Sequence, residues 1–310
     1  MTTKARIPIL ITWDVDPDRW TTLDRRRSAL NLAMDLCQEF DIRSTFFITA
    51  RFAHEYPDEL QRMQVLGQEV GCHGLTHTDE EEYDRMSEVM QRAYIEEATS
   101  KLESTVGKSI RVFRSPRVKT SATTLRLLTG YGYLADSSVC SQRLDIVSSN
   151  LINLGWLLAP RRPYRPHHAS AYKQGSLPIW EVPVSALIVP FTSKVLNVLG
   201  LPATRFLATL LCAESRCTGK PIVYLSHPTE FLSSSTQGNN RSRGRVFKPA
   251  VFSPRYIRTH GFLARNLLLR MEGKALFDCT RELFAYMASL PHVKFMTTSE
   301  YITEYLVEPI

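Results

Sequence analysis

Two carboxylates and two imidazoles stand at spacings that could hold a metal ion. Asp14 and Asp16 follow the apolar run 9–13, and residues two apart in an extended chain share a face, so both carboxylates would project together. His73 and His77 are four residues apart after a second apolar run, and one turn of helix or a tight loop would bring both rings to one ion. A carboxylate and two imidazoles leave room for water, which is the pattern of a catalytic zinc-type site.

Three further polar residues follow apolar runs of the chain. Arg114 follows residues 111–113, Asp136 ends the run 134–136, and His227 follows the run 222–225. Each has an alternative structural explanation: a surface ion pair for Arg114, a turn cap for Asp136 and a satisfied core histidine for His227. The alternative for Asp16 is a turn or cap residue, together with Asp18 on the other side of Pro17. Their occurrence in order favours one shared site.

The elements that must position these residues are predicted from apolar periodicity. Strand-like runs alternate with helical segments, which predicts βα units around a parallel sheet. The candidate residues all fall at carboxyl ends of predicted strands, and in a βα barrel that is the active face. The predicted strands are residues 9–13, 45–49, 69–72, 111–113, 134–136, 179–184, 222–225 and 293–296.

The first helix is predicted from apolar residues that recur at helical spacing. We expect Asp24 to cap this helix, and Gly107 and Gly130 to end two later ones. The apolar face of the first helix is predicted to comprise Leu30, Ala33, Met34, Cys37 and Phe40.

Length and composition are those of an ordinary globular protein. The chain has 310 residues, of which 44% are hydrophobic and 22% charged, and we expect a single domain over residues 1–310 with long loop insertions at about 141–177 and 231–275. The six cysteines show no CxxC spacing, which favours reduced thiols. No apolar run approaches the roughly 18 residues of a membrane-spanning helix. We therefore expect a cytoplasmic protein.

Charge and hydropathy are unevenly distributed. The formal net charge is +7, and much of the basic excess falls within residues 241–274, which could face solvent or an anion. Residues 184–211 are apolar, with Lys194 and Arg205 as their charges. Two helices packed on the core would explain this segment, and the alternative is an interfacial surface that contacts a bilayer or a lipid-linked substrate. The basic stretch lacks interleaved aromatic residues, which argues against nucleic-acid binding.

The ordered motifs resemble those of the polysaccharide deacetylase (NodB-homology) family, also called carbohydrate esterase family 4. The resemblance rests on five segments between residues 9 and 301, and it implies an α/β fold, a distorted (β/α) barrel with fewer strands than the regular one. The segments are Thr12-Trp13-Asp14-Val15-Asp16, His73-Gly74-Leu75-Thr76-His77, Arg114-Ser115-Pro116, residues 132–138 and Leu225-Ser226-His227.

The resemblance implies roles for the first four candidate residues. Asp16, His73 and His77 would bind a divalent metal, for which zinc is favoured and cobalt, nickel, manganese and iron are alternatives. Asp14 would be the catalytic base. Val15 separates two aspartates that are adjacent in many members of the family, so an exchange of roles between Asp14 and Asp16 stays open.

The resemblance also implies roles for the later motifs. His227 would be the general acid, Arg114 would pair with Asp14, and Asp136 would orient His227 or line the pocket. Arg117 stands where the family often has an aromatic residue, so its backbone N–H would bind the oxyanion and its side chain could bind an anionic substrate group. The fourth motif lacks the tryptophan that often lines the sugar groove, which argues against a long chitin-like polymer.

These inferences predict a metal-dependent hydrolase that removes an N-acetyl or N-formyl group from an amino sugar. A nucleotide- or lipid-linked precursor of cell-envelope or exopolysaccharide synthesis is the favoured substrate, with peripheral contact at the inner face of the membrane. Two alternatives remain: a small-amide hydrolase resembling allantoinases, and a barrel that binds sugar without turnover. The oligomeric state is not predicted by the sequence.

Overall fold

The computed structural model describes residues 6–18, 21–143, 153–232 and 268–307. The strands are β1 Ile7–Val15, β2 Ser44–Ile48, β3 Glu69–Cys72, β4 Val112–Phe113, β5 Ala135–Asp136, β6 Pro166–His167, β7 Ser170–Gln174, β8 Trp180–Glu181, β9 Ala186–Leu187, β10 Val189–Pro190, β11 Ile222–Ser226 and β12 Val293–Phe295. The α-helices are α1 Leu23–Glu39, α2 Pro57–Val65, α3 Glu88–Val106, α4 Ala122–Gly130, α5 Leu154–Leu158, α6 Ser193–Thr218, α7 Lys274–Ser289 and α8 Thr298–Tyr301.

A curled parallel sheet forms the centre of the fold. Its strands run in the order β11-β1-β2-β3-β4-β5-β8, and β12 pairs in parallel with the first residues of β1. Each of the eight predicted strands overlaps one strand of this sheet, so the predicted α/β fold with parallel βα units is confirmed. Helices pack on the outside of the sheet, which therefore has the form of a half-barrel.

The gap between the two ends of the sheet is bridged by irregular backbone. After β8, the Ser185 N–H donates to the carbonyl oxygen of Val223 at 3.1 Å, and the Val223 N–H donates to Ser185 Oγ at 2.9 Å. An isolated β-bridge also joins Thr192 to Leu225. The barrel is thus distorted at this seam, because side-chain and single-bridge contacts replace a regular ladder there.

Alternation along β1 assigns its side chains to the two faces of the sheet. Ile9, Ile11 and Trp13 belong to the larger core between sheet and helices, whereas Leu10 belongs to the smaller cluster on the inner face. Because alternate residues of a strand share a face, Asp14 projects to the same side as Leu10. Every residue of β1 is buried, so this carboxylate ends a strand in the middle of the protein.

The helix boundaries follow the predicted signals with one exception. Gly107 caps α3 in the left-handed conformation (φ 71), and α4 ends at Gly130. However, α1 begins at Leu23 with Thr22 at its N-cap, so Asp24 lies in the first turn, where its charge favours the helix dipole, and is not the cap. Four of the five residues of the predicted apolar face are buried: Leu30, Ala33, Met34 and Cys37.

The apolar segment predicted over residues 184–211 has two parts. Residues 186–190 form the short β9–β10 hairpin rather than a helix, and α6 follows. This helix is broken at Gly200 (φ 80, ψ 174), just before Pro202. Among the described residues, α6 is the one helix long and apolar enough to cross a membrane by length and composition, and 44% of its most apolar window is buried. It packs on α7 and β11.

The two predicted insertions are described only in part. Residues 153–177 contain α5 and the β6–β7 hairpin, whereas residues 144–152 lie outside the described residues. Most of the second insertion, residues 233–267, also lies outside them, together with most of the basic stretch.

Candidate active site

The inner face of the sheet gathers four of the predicted site residues. Asp14 is in register with Phe47 of the inner cluster, and Arg114 lies two residues beyond Val112, also of that cluster. His73 follows β3 and His227 follows β11, each one residue past a side chain on the outer face. The alternation of the strands therefore turns all four side chains inward at the carboxyl end of the sheet.

Asp16, His73 and His77 form a compact set of donor atoms. Nε2 of His73 lies 3.2 Å and Nε2 of His77 lies 3.3 Å from the same oxygen, Oδ1 of Asp16. One ligand atom from each residue lies within 4.8 Å of the others. A carboxylate oxygen faced by two imidazole nitrogens is a donor set that fits zinc or a similar divalent metal. The three residues are therefore geometrically suited to the metal site that the sequence predicts.

The protonation of this set is tuned by its neighbours. Burial raises the pKa of Asp16, but His77, His73 and His227 lower it more, so the net pKa lies far below its ordinary value. Burial lowers the pKa of His77. His73 Nδ1 lies 2.8 Å from the carbonyl oxygen of Arg114; donation of its N–H to that oxygen leaves Nε2 as the acceptor that faces Asp16.

Arg114 holds Asp14 from within the barrel. Its side chain is fully buried, and Nη1 donates to Asp14 Oδ1 at 2.8 Å and to Thr12 Oγ1 at 2.8 Å. Nε donates to the Ser137 carbonyl and Nη2 to Ser137 Oγ, both at 2.7 Å. The guanidinium also lies 4.3 Å above the ring of Phe47. Each nitrogen of the Arg114 guanidinium thus has a partner, and the fixed guanidinium holds Oδ1 of Asp14 in place.

Glu81 holds the loop that carries the two histidines. Oε2 accepts hydrogen bonds from the backbone N–H groups of Thr76 and His77 at 2.6 and 2.7 Å. Oε1 accepts from the Leu75 N–H at 2.7 Å and from the Tyr83 hydroxyl at 3.1 Å. His77 itself has a left-handed backbone (φ 54), a conformation that needs such support. This buried carboxylate was not among the predicted site residues, because nothing in the local sequence marks it as a loop support.

Gly74 leaves no room for a side chain in the same loop. Its backbone is left-handed (φ 71), and an added Cβ would lie 2.5 Å from Glu81 Oε1 and 2.7 Å from Cγ of Pro116. The histidine loop therefore packs directly against the third motif.

We expect Glu81→Gln to weaken metal binding about 10- to 100-fold. The glutamine would present an amide NH₂ to backbone N–H groups, so at least one of them would lose its acceptor. Equilibrium competition with a metal chelator measures the affinity, and Glu80→Gln, at an exposed neighbouring position, is the matched control. Equal affinities for the two variants would contradict the role of Glu81.

The structure pairs His227 with Glu230 and not with Asp136. His227 Nε2 lies 3.8 Å from Asp16 Oδ2, whereas Nδ1 lies 3.2 Å from Glu230 Oε1. Asp136 is in register with Phe113 on the outer face of the sheet. The predicted contact between Asp136 and His227 is therefore absent, since the two side chains project to opposite faces. Glu230 was missed, although its position three residues after His227 was available in the sequence.

Asp136 instead forms a buried carboxyl pair with Glu181. The two residues are in register on neighbouring strands and both are fully buried. Burial raises the pKa of Asp136 to about 6, and burial and the charge of Asp136 raise that of Glu181. Ser138 Oγ donates to Asp136 Oδ1 at 2.5 Å and accepts from the Ser115 N–H at 2.8 Å. Asp136 thus supports the loop next to Arg114 from outside the barrel.

We expect this carboxyl pair to make the protein less stable as the pH rises. A carboxyl whose pKa is raised on folding binds its proton more tightly in the folded state, so the stabilisation is complete below about pH 4 and is lost as the pH rises through about 6. The slope is at most about 1.4 kcal/mol per pH unit for each proton. Urea denaturation of the wild type and Asp136→Asn between these pH values measures the difference. A difference that does not change with pH would refute the explanation by raised pKa values.

The side chain of Arg117 is used within the protein. It donates to the carbonyl oxygens of Thr78 at 2.9 Å and His77 at 3.4 Å, and pairs with Asp79 at 3.0 Å. The interpretation that this side chain binds an anionic substrate group is therefore not supported, because its donors hold the histidine loop.

The N-terminal part of the chain is similar in sequence to polysaccharide deacetylases. Residues 2–135 match the family model described as polysaccharide deacetylase, a region that includes Asp14, Asp16, His73, His77 and Arg114. A chitin deacetylase from Colletotrichum lindemuthianum is 29% identical over 105 residues. That match covers 32% of this chain and 41% of the chitin deacetylase, so the chain matches less than half the length of this relative.

Solved structures share the fold over nearly the whole chain. A protein from Mycobacterium smegmatis, assigned to the polysaccharide deacetylases, has a TM-score of 0.63 at 17% identity and covers 100% of this chain and 96% of its own. The allantoinase PuuE has a TM-score of 0.60 at 16% identity, with coverage of 99% and 94%. At these identities the likeness shows the fold alone, and the predicted NodB-type barrel is confirmed.

Proposed function

We propose that this chain, whose residues 2–135 match the polysaccharide deacetylase family model, is a metal-dependent hydrolase that removes an N-acetyl or N-formyl group from an amino sugar. The proposal is supported chiefly by the close approach of the three potential metal ligands, Asp16, His73 and His77. Asp14, which pairs with Arg114, and His227 lie next to these ligands. A generic metal site would not need a carboxylate paired with a buried arginine and a separate histidine next to its ligands.

The side chains can supply the proton transfers of amide hydrolysis. A divalent metal held by Asp16, His73 and His77 would lower the pKa of water and polarise the substrate carbonyl. Asp14, 3.9 Å from Nε2 of His73, would accept a proton from the attacking water. His227 would donate a proton to the departing nitrogen. Arg114 would keep Asp14 in place throughout, since it has no freedom to rotate.

A lipid-linked amino sugar is the substrate class that we favour. The apolar helix α6 begins at Ser193, and its N-cap residue Thr192 is bridged to Leu225, two residues before His227, so this helix starts beside the proposed active site. Leu199, Phe206 and Leu210 are exposed along it, with Phe206 65% exposed. Large exposed apolar side chains on one helix are typical of a surface that contacts lipid or a partner.

We propose a cytoplasmic location, with contact at the inner face of the membrane. All six cysteines are free, and Cys37, Cys72, Cys140 and Cys212 are buried. Buried free thiols without a disulfide are typical of a reducing compartment.

The proposed function is tested by measuring the release of acetate or formate from N-acyl sugars by protein whose metal content has been determined. The purified protein is loaded with zinc, and acetate and formate are quantified after incubation with N-acyl amino sugars that are free, nucleotide-linked or polyprenyl-phosphate-linked in micelles. We expect the lipid-linked sugar to be cleaved with the highest kcat/KM.

Two comparison substrates separate the proposal from its rivals. Turnover of allantoin in place of the sugars would identify a small-amide hydrolase, and preferential cleavage of soluble chitin oligomers would refute the linked-sugar substrate. A metal-loaded protein that binds sugars but hydrolyses none of them would support a binding barrel.

A further inference from the structure

Glu230 lies where an orienting partner of His227 is needed. It stands in the 3₁₀ turn Pro228–Phe231, which begins immediately after His227. Its backbone N–H donates to the His227 carbonyl at 3.1 Å, and its Oε1 lies 3.2 Å from His227 Nδ1. The turn therefore brings the carboxylate back onto the ring of the histidine that precedes it.

We propose that Glu230 is the positioning residue of His227, a function that the family resemblance implied as one of two possibilities for Asp136. The proposal rests on the proposed function in one respect, that His227 protonates the departing amine. Asp136 cannot take this function, because it projects from the outer face of the sheet and pairs with Glu181. Glu230 is on the same side of the barrel as His227 and in contact with it.

The contact assigns each ring nitrogen a function. A hydrogen bond from Nδ1–H across the 3.2 Å separation from Glu230 Oε1 would hold the ring in one orientation, with Nε2 3.8 Å from Asp16 Oδ2. The carboxylate also stabilises the imidazolium that can carry a proton on Nε2. In the step itself, the amide C–N bond breaks, its nitrogen takes the proton from Nε2, the water oxygen bonds to the acyl carbon, and Asp14 holds the proton lost by that water. The proton on Nδ1 stays with the Glu230 pair.

The surroundings of Glu230 favour its ionised form. Burial raises its pKa, but His227, Lys194 and Ser193 lower it more, so the net pKa lies below its ordinary value. Ser193 and Lys194 form the start of α6, where Thr192 caps the helix. A carboxylate at a helix N-terminus is stabilised by the helix dipole. Glu230 therefore joins the proposed acid to the first turn of the apolar helix.

The kinetic test compares amide and ester substrates in Glu230 variants. An amine leaving group needs protonation, whereas 4-nitrophenolate does not, so Glu230→Ala should reduce kcat for the N-acyl sugar about 100-fold, with KM little changed. The loss of 4-nitrophenyl acetate hydrolysis should be at least about tenfold smaller. Glu230→Gln should recover part of the amide activity, because its amide oxygen can still accept from Nδ1–H. Glu282→Gln, an exposed carboxylate of α7 paired with Arg205, is the control.

A spectroscopic test keeps the inference separate from the identity of the substrate. Nitrogen-15 NMR of the zinc-loaded protein, with the His227 signals assigned by their loss in His227→Gln, reports which ring nitrogen carries a proton. We expect a protonated Nδ1 in the wild type and a mixture of tautomers in Glu230→Ala at unchanged metal content. If the wild type cleaves no sugar, the proposed function fails and the NMR result alone decides the pairing. An unprotonated Nδ1 in the wild type, or equal losses for amide and ester, would overturn the inference.

Discussion

Asp14→Asn should lower kcat for the amide substrate about 10²- to 10⁴-fold and leave the bound metal in place. The asparagine oxygen can still accept from Arg114, so the pocket keeps its shape, but the side chain can no longer take a proton from water. The three metal donors, Asp16, His73 and His77, are unchanged by this substitution. Steady-state kinetics, with zinc quantified in the same preparation, measures both parts of the expectation.

The comparison with Asp16→Asn decides between the two possible assignments of the aspartates. Asp16 Oδ1 is the atom that both imidazoles approach, so Asp16→Asn should lose metal and Asp14→Asn should retain it. The reverse pattern would show that Asp14 is the ligand and Asp16 the base. Thermal denaturation of both variants is needed as a control, because Asp14 neutralises the buried Arg114 and loss of a buried pair can cost about 3–5 kcal/mol.

His73→Ala should remove both the metal and the activity. His73 is 1% exposed and its ring is fixed by the Arg114 carbonyl, so alanine would remove a donor that the fold holds in place. Metal affinity should fall by more than the roughly 10- to 100-fold typical of a lost supporting contact, and turnover should fall below that of Asp14→Asn.

Chelation of the wild type gives a parallel result without a mutation. Removal of metal with a chelator should abolish turnover, and zinc or cobalt should restore it in the wild type but not in His73→Ala at equal concentration. His54→Ala changes an exposed histidine and should behave as the wild type. Full activity of metal-free wild type would disprove the metal-dependent mechanism.

The positions of the site residues along the chain were predictable because strand ends are visible in the sequence. Apolar runs located β1, β3, β4 and β11, and the parallel arrangement requires that their carboxyl ends meet at one edge. The spacing of Asp14 and Asp16 and the order of the motifs then predicted which side chains share that edge. The structure brings Asp14, Asp16, His73, His77, Arg114 and His227 together there.

The supports of the site were not predictable in the same way. The face of Asp136 depends on the register of β5 against β4, which pairs Asp136 with Phe113, and a strand of two residues has no alternation from which to read a face. Glu81 binds the backbone N–H groups of a loop that contains left-handed residues. No periodic pattern of residues in the sequence marks such a loop, so this contact could not be predicted. The side chain of Arg117 was expected to bind the substrate because of its position in the third motif. Its partners in the structure, residues 77–79, could not be predicted from the sequence.

The register of β1 has a consequence for synthesis of the protein. Ile9 pairs with Ile222 on one side, while Ile11 pairs with Ser44 on the other. During translation β1, β2 and β3 can pair as soon as the histidine loop has left the ribosome, but the second edge of β1 waits for β11, on the order of 10 s later at ordinary rates. An apolar strand edge left open for that time invites pairing with other chains. Slower induction or chaperone co-expression should therefore raise the soluble yield more than any change at the active site.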